Sequence, residues 1–328
     1  MKSQRINSLS LFTPVFIVGA PRSGTTLARD LISFLDQIYF PPDELQIISS
    51  LNELILADSS PSRLVEFLEG SNFASHMKRR KLWPSKADLF NIVAAKDTAE
   101  VVRGLILKIG SIDGSISTKY WGDKTPENIF LLDLIRQLWP DVKIIHIVRD
   151  PRSTVLSMNK SWGRSFVRGA SLWRDAVISA STTSDIMSPE LFYKLRYEDL
   201  TDNPVRELSA IAEWLDVDFD PTLLDKYKSE ERWGEASGHQ GVKSNPRGWE
   251  ANLTKKQVLT IEEVTYDAMI LEGYTPLYAV RSSKPNKFII KLLFLLDGLF
   301  VLAHYARERG LRAAFEYKIK QWRLGRGG

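Results

Sequence analysis

The stretch from Val15 to Ile32, VFIVGAPRSGTTLARDLI, carries two glycines five residues apart, Gly19 and Gly24, followed by Thr25 and Thr26. A nucleoside-triphosphate loop has the form GxxxxGK[ST], with a lysine directly after the second glycine. Here that position is Thr25. An apolar strand, a glycine turn and a helix starting near Gly24 aim several backbone N–H groups and the positive end of a helix at one point, which is an anion site. Arg22 adds a fixed positive charge, and the hydroxyls of Thr25 and Thr26 add donors. A bare GxxxxG is also satisfied by a plain glycine turn beside a surface arginine. The flanking strand and helix and the Arg-Ser-Gly-Thr-Thr cluster favour the anion. The missing lysine, and the lack of an acid after a second strand to hold Mg²⁺, argue against triphosphate chemistry. The anion expected here is less highly charged.

A second group lies in KIIHIVRDPRSTVLSM. Arg149 falls at the carboxyl end of an expected strand, where ligands collect in open α/β sheets. Asp150 suits a helix N-cap and Pro151 the first helical position, so Ser153 and Ser157 share one helical face. An arginine at a strand end and a serine on the next helix can grip one phosphate, the guanidinium through two hydrogen bonds and the hydroxyl through one. An Arg-Asp surface pair with serines facing water fits the same residues.

The elements that must hold these groups follow from hydropathy. VFIVGA (Val15 to Ala20), KIIHIV (Lys143 to Val148) and FYKLRY (Phe192 to Tyr197) are short apolar runs leading into helical patterns, the mark of buried parallel strands. A fourth strand is expected near STKYWGD. Between the first two of these runs lies a long helical insertion, about 43–110, with apolar positions at amphipathic spacing. Helices are expected at Pro204 to Leu215 and Thr254 to Glu272, separated by a segment rich in Gly, Ser and charge that has the character of a functional loop. The fold class is therefore α/β: a P-loop-type parallel sheet flanked by helices, with a helical insertion and a helical C-terminal extension. The main domain is placed at 12–280 and the extension at 281–328.

Composition narrows the function classes. The 328 residues are 44% hydrophobic and 26% charged, an ordinary globular balance, and the formal charge of +4 is too small to imply nucleic acid. There is no cysteine and there are four histidines, which removes disulfide scaffolds and thiol catalysis and leaves no expected metal site. The apolar N-terminal stretch is short, broken by Pro14 and continuous with the glycine loop, so it is expected to be a strand and not a leader. Lys291 and Asp297 interrupt the longest apolar run, Phe288 to Tyr305, so no membrane span is expected.

APRSGTT and VRDPRSTVLSM, in this order and roughly 120 residues apart, resemble the 5′-phosphosulfate loop and the 3′-phosphate motif of sulfotransferases that use 3′-phosphoadenosine 5′-phosphosulfate (PAPS). WGDKTPEN (Trp121 to Asn128) and LRYEDLTDNP (Leu195 to Pro204) extend the resemblance, which covers about Val15 to Tyr274. The arginine in PRSGTT and the DKTP element are closer to the tyrosylprotein and bacterial members than to the cytosolic steroid and phenol enzymes. The resemblance implies PAPS as donor, adenosine 3′,5′-bisphosphate as product and no metal requirement. It places Arg22, Ser23, Gly24, Thr25 and Thr26 on the 5′-phosphosulfate, Arg149 and Ser157 on the 3′-phosphate, and Tyr197 near the adenine. VKSNPRGWEANLT is similar to the segment that closes over the nucleotide, making Lys243 and Arg247 further 3′-phosphate ligands. Arg22 and Lys124 are implied to stabilise charge on the leaving oxygen. Tyrosylprotein-type enzymes carry a glutamate base about twenty residues after the loop, which here selects Glu44, with Asp43 as the alternative.

The implied reaction is O-sulfation of an acceptor hydroxyl, with a glycan, lipid or small-molecule alcohol preferred and protein tyrosine as an alternative. A P-loop kinase and a catalytically silent nucleotide-binding scaffold are the competing readings. KRRK (Lys78 to Lys81) fits a solvated helix face. Trp83, Trp121, Trp139, Trp162 and Trp173 fit core positions, although WGRSFVRGASLW, bounded by Trp162 and Trp173, is placed to border an acceptor pocket. His146 is expected in the core, and His239 is given no role. The basic and aromatic extension suits packing on the main domain, contact with an anionic membrane surface, or a homodimer contact. The expected location is cytoplasmic, with peripheral membrane contact as an alternative.

Overall fold

The computed structural model describes residues 12–115, 119–227, 242, 248–283, 292, 293 and 296. Five parallel strands form one sheet in the order β2-β3-β1-β4-β5. They are β1 Thr13–Val18, β2 Ile38–Tyr39, β3 Tyr120–Asp123, β4 Lys143–Val148 and β5 Phe192–Arg196. Each apolar run divides its side chains between two cores. Phe16, Val18, Ile144 and Val148 enter one, while Val15, Ile17, Ile145 and Ile147 enter the other. A central strand of a parallel sheet has no solvated face, which is why β1 from Pro14 to Val18 is continuously apolar and buried and does not alternate with polar residues.

Helices cover both faces. α1 (Thr25–Ile32) and α11 (Pro204–Leu215) bury Ala28, Leu31, Ile32, Leu208, Ile211 and Leu215 on one side. On the other lie α9 (Phe166–Ser184), α12 (Lys255–Leu271) and the insertion, which comprises α2 (Ile48–Leu56), α3 (Pro61–Gly70), α4 (Asn72–Arg79), α5 (Lys86–Val93) and α6 (Thr98–Asp113). α7 (Leu132–Leu138), α8 (Pro151–Trp162) and α10 (Tyr197–Asp202) are further α-helices, and Pro126–Phe130 and Pro221–Lys226 form short 3-10 helices. Local sequence starts many of them. Ser60, Ser71, Ser85 and Asp97 cap α3 to α6 by accepting a backbone N–H in the first turn, and Asp150 caps α8 with Pro151 behind it. Thr254 and Gln257 form a capping box on α12.

The first strand ends at Val18, with Gly19 and Ala20 in the turn that follows. Two sequence expectations change. The two-residue β2 carries too little pattern to stand out, and it moves the start of the insertion to the outer edge of the sheet, between β2 and β3. Phe166 begins α9, so most of WGRSFVRGASLW is helix, and Trp173 is fully buried in the core. The C-terminal extension, apart from isolated positions, lies outside the described residues, as does His239. No described helix is long and apolar enough to cross a membrane.

His146 sits in β4 with its ring enclosed beside Phe192. Burial pushes its pKa down to about 3, with the charge of Lys194 acting in the same direction. The unfolded chain therefore takes up this proton first as the pH falls, so the contribution of neutral His146 is complete above about pH 6.5 and is lost progressively toward pH 3. Urea-unfolding midpoints measured from pH 7 to pH 4 should fall more steeply in the native chain than in His146→Leu. Parallel slopes would show that His146 is not held neutral.

Candidate active site

β1 pairs with β4 in parallel, Val18 beside His146, so the loop after β1 and the loop after β4 leave the same edge of the sheet. The first loop is pressed against the neighbouring strand: a Cβ on Gly19 would lie 2.3 Å from the carbonyl oxygen of Ile147. Only glycine allows that approach. Arg22 adopts a left-handed backbone with φ 71°, which a non-glycine residue holds only when its surroundings enforce it. Its Nε donates to Ser157 Oγ at 3.1 Å, joining the loop directly to α8. Gly24, at φ 96°, opens α1.

Tyr197, the first residue of α10, lies between the two motifs. A Cβ on Gly24 would stand 2.3 Å from its ring, and the Arg149 guanidinium stacks over the same ring at 4.1 Å. The resemblance implies a place for Tyr197 near the adenine; in the structure its ring supports both the glycine turn and Arg149. Ser23 is fully buried and Thr25 nearly so, whereas Thr26 is half-buried. Among the described residues, Ser23 Oγ and Arg149 Nε are buried polar atoms with no hydrogen-bond partner. Buried polar atoms are ordinarily satisfied, so two orphans on two adjoining anion motifs point to a ligand that would complete them.

A second cluster of charged residues adjoins this one through β3, the strand beside β1. Lys124 follows the end of β3 and extends its ammonium to Glu44 Oε1 at 2.6 Å, with only 8% of the lysine side chain exposed. Asp123 is fully buried and accepts hydrogen bonds from the Leu45 N–H at 3.1 Å, the Thr125 hydroxyl at 3.1 Å and the Asn128 amide at 2.7 Å. Burial pushes the Asp123 carboxyl up to about 7 against the pull of these donors. Through Leu45 it ties the Asp43–Gln46 loop to β3. Asp43 is engaged elsewhere: one oxygen contacts His76 Nδ1 on α4 and the other accepts the Glu44 N–H at 2.8 Å. Gln46 donates to the second Glu44 oxygen at 2.7 Å.

The structure thus gathers Arg22, Ser23, Gly24, Thr25, Arg149, Ser157 and Tyr197 around the glycine loop, and Glu44 with Lys124 beside β3. Lys243 and Arg247 lie outside the described residues. Trp249, two positions after Arg247, stacks on Arg152 at 4.2 Å and so docks the end of that segment on α8. Sequence reasoning missed the His76 contact with Asp43, the Gln46 contact with Glu44 and the role of Asp123. His76 carried no signal, being far along the chain from Asp43.

Residues 14–221 match the Sulfotransferase family. The chain belongs to this family. Among curated proteins it is 23% identical over 225 residues to an uncharacterized protein of Aquifex aeolicus (strain VF5), covering 66% of this chain and 27% of that one. It is 26% identical over 159 residues to the nodulation protein NoeE of Sinorhizobium fredii (strain NBRC 101917 / NGR234), covering 46% and 32%. The matched region spans about a third or less of the length of these relatives. Among solved structures, the sulfotransferase domain from the Synechococcus PCC 7002 olefin synthase is similar with a TM-score of 0.56 at 21% identity, covering 84% of this chain and 99% of that one. The sulfotransferase domain from the curacin biosynthetic pathway follows at 0.54 and 18%, covering 81% and 99%. At these identities the likeness is one of fold, and the parallel sheet flanked by helices is the sulfotransferase architecture.

Gly24 tests the packing of this sulfotransferase loop. Gly24→Ala meets both a left-handed backbone and the Tyr197 ring, whereas Gly114→Ala, at φ +73°, meets no atom within 4 Å. The backbone term alone is about 1–2 kcal/mol. Chemical denaturation should show Gly24→Ala losing clearly more stability than Gly114→Ala, by about 1–3 kcal/mol, the usual cost of overpacking. Equal losses would mean that Tyr197 does not bear on the loop.

Proposed function

We propose that this chain transfers a sulfuryl group from PAPS to an acceptor hydroxyl, with residues 12–280 forming the transferase domain. The observation that carries this reading is the pair of buried, unpartnered atoms, Ser23 Oγ and Arg149 Nε, on two motifs that the Arg22–Ser157 hydrogen bond holds together. One motif suits a 5′-phosphosulfate and the other a 3′-phosphate, so the residues present fit a nucleotide phosphorylated at both ends. When bound, that donor supplies an activated sulfuryl group on a single 5′-phosphate. Backbone N–H groups at the start of α1, with Ser23, Thr25 and Thr26, hold the 5′ side, and Arg149 with Ser157 holds the 3′ side. Lys243 and Arg247 are proposed as additional 3′ ligands by resemblance.

Chemistry at sulfur needs positive charge near the departing oxygen and a base at the acceptor. Arg22 and Lys124 serve the first need. Glu44 serves the second, and it is favoured over Asp43 because it pairs with the Lys124 ammonium, whereas Asp43 is turned toward His76 and the Glu44 N–H. The Lys124–Glu44 contact keeps base and cation adjacent. Glycans, lipids and small-molecule alcohols are the preferred acceptors, ahead of protein tyrosine.

The donor site is tested by thermal stabilisation with adenosine 3′,5′-bisphosphate, ADP, and ATP with Mg²⁺. A ligand held only by the folded state adds about 2.7 kcal/mol at 100 times its Kd, and a response selective for the bisphosphate is expected. A response to Mg-ATP alone would favour phosphoryl transfer, and silence from all three would overturn the reading. In an acceptor screen with isotope-labelled donor, Glu44→Gln should lower turnover by about 10²–10⁴-fold, the usual worth of a general base. Asp43→Asn should cost far less. The reverse ranking would exchange their roles.

A further inference from the structure

The Arg149 carbonyl and the Asp150 N–H belong to one planar peptide unit, and both of its ends are held. Trp173 Nε1, on α9, donates to the carbonyl at 2.8 Å. Glu198 Oε1, on α10, accepts the N–H at 2.9 Å. The second Glu198 oxygen accepts the Tyr274 hydroxyl at 2.9 Å, and the Tyr274 ring meets Trp173 edge-on with centroids 6.3 Å apart. The contacts therefore close a ring: Trp173, the 149–150 peptide, Glu198, Tyr274 and back to Trp173. Burial and the neighbouring Glu198 charge raise the Tyr274 hydroxyl, so it remains a donor.

A peptide fixed at both ends leaves the Cα–Cβ bond of Arg149 a single direction. The adjoining residue Tyr197 then supports the guanidinium from below, and Arg149 Nε is left without a partner. Glu198 also presents an anionic group close to a motif suited to phosphate. Such a carboxylate would ordinarily repel that ligand, but both of its oxygens are taken up by donors. Its placement is therefore accounted for by orientation of the arginine, in the way outer-sphere groups hold binding residues in a productive geometry.

We propose that Glu198 and Trp173 are positioning residues that set selectivity for the 3′-phosphate through the backbone of Arg149. The inference rests on the sulfotransferase reading above. It predicts an effect on one end of the nucleotide only, which a general loss of packing would not produce.

The test is titration calorimetry of the full chain with adenosine 3′,5′-bisphosphate and with adenosine 5′-monophosphate, for the native protein and for Glu198→Ala, Glu198→Gln and Tyr274→Phe. Glu198→Ala should weaken the bisphosphate at least tenfold and the monophosphate less than threefold. Glu198→Gln, which keeps an acceptor for the Asp150 N–H, should restore the bisphosphate to within about threefold, as expected where one neutral hydrogen bond replaces a charged one. Should Glu198→Ala not fold, Tyr274→Phe carries the test, with a smaller loss again confined to the bisphosphate. Equal weakening of both nucleotides, or no weakening of either, overturns the inference while leaving the donor site standing. A native protein that binds the two nucleotides equally overturns the donor-site reading, and the inference with it.

Discussion

The side-by-side parallel pairing of β1 and β4 is the constraint on which the site depends. β1 stops at Val18, level with His146, while β4 continues to Val148. The glycine loop therefore turns back over a strand that is still running, and its first residue faces the Ile147 carbonyl with no room for a side chain. That close approach delivers Arg22 to Ser157 across 135 residues of sequence. An antiparallel or separated pair of strands would place the two loops at opposite ends of the sheet, and neither could complete the other.

Around that junction, polar groups are held by contacts whose strength comes from burial. A hydrogen bond removed from water is worth more than an exposed one, and a missing one costs more. Arg152 illustrates the first half of the rule: it bridges Asp150 and the fully buried Glu262, which also accepts the N–H groups of Leu277, Tyr278 and Ala279. This fastens the start of α8 to α12 and to the chain beyond it. Ser23 and Arg149 illustrate the second half, since each leaves a buried polar atom unsatisfied where the two loops meet. A rigid surround with two open valences is a preorganised site, with the ordering cost met during folding.

Much of this was legible in sequence because the informative signals are local. A glycine loop between strand and helix, an Asp-Pro helix start and three apolar runs need no knowledge of the fold, and each of these elements appears near its expected position. α11 spans Pro204–Leu215 as its amphipathic spacing indicates. What escaped depends on distance in the chain. β2 is a two-residue pairing that exists only because β3 arrives beside it, and helix α9 was obscured by small and charged residues at its start. The His76–Asp43 and Asp123–Leu45 contacts link residues 33 and 78 positions apart, and no spacing rule connects them. Tyr197 was legible as a site residue, but its packing between Gly24 and Arg149 was not.

The insertion departs from the sheet after β2 and returns to it at β3, and these two strands are neighbours at one edge. A continuous stretch of chain is thus attached at two adjacent strands, of which β3 lies directly beside β1. It contributes Glu44 and His76, while the glycine loop and Arg149 belong to the remainder. Such an attachment makes the stretch an exchangeable cassette: its helices can be lengthened, shortened or replaced over evolutionary time without re-threading a single interior strand. The junction of the glycine loop with Arg149 can then stay constant while the cassette beside it changes.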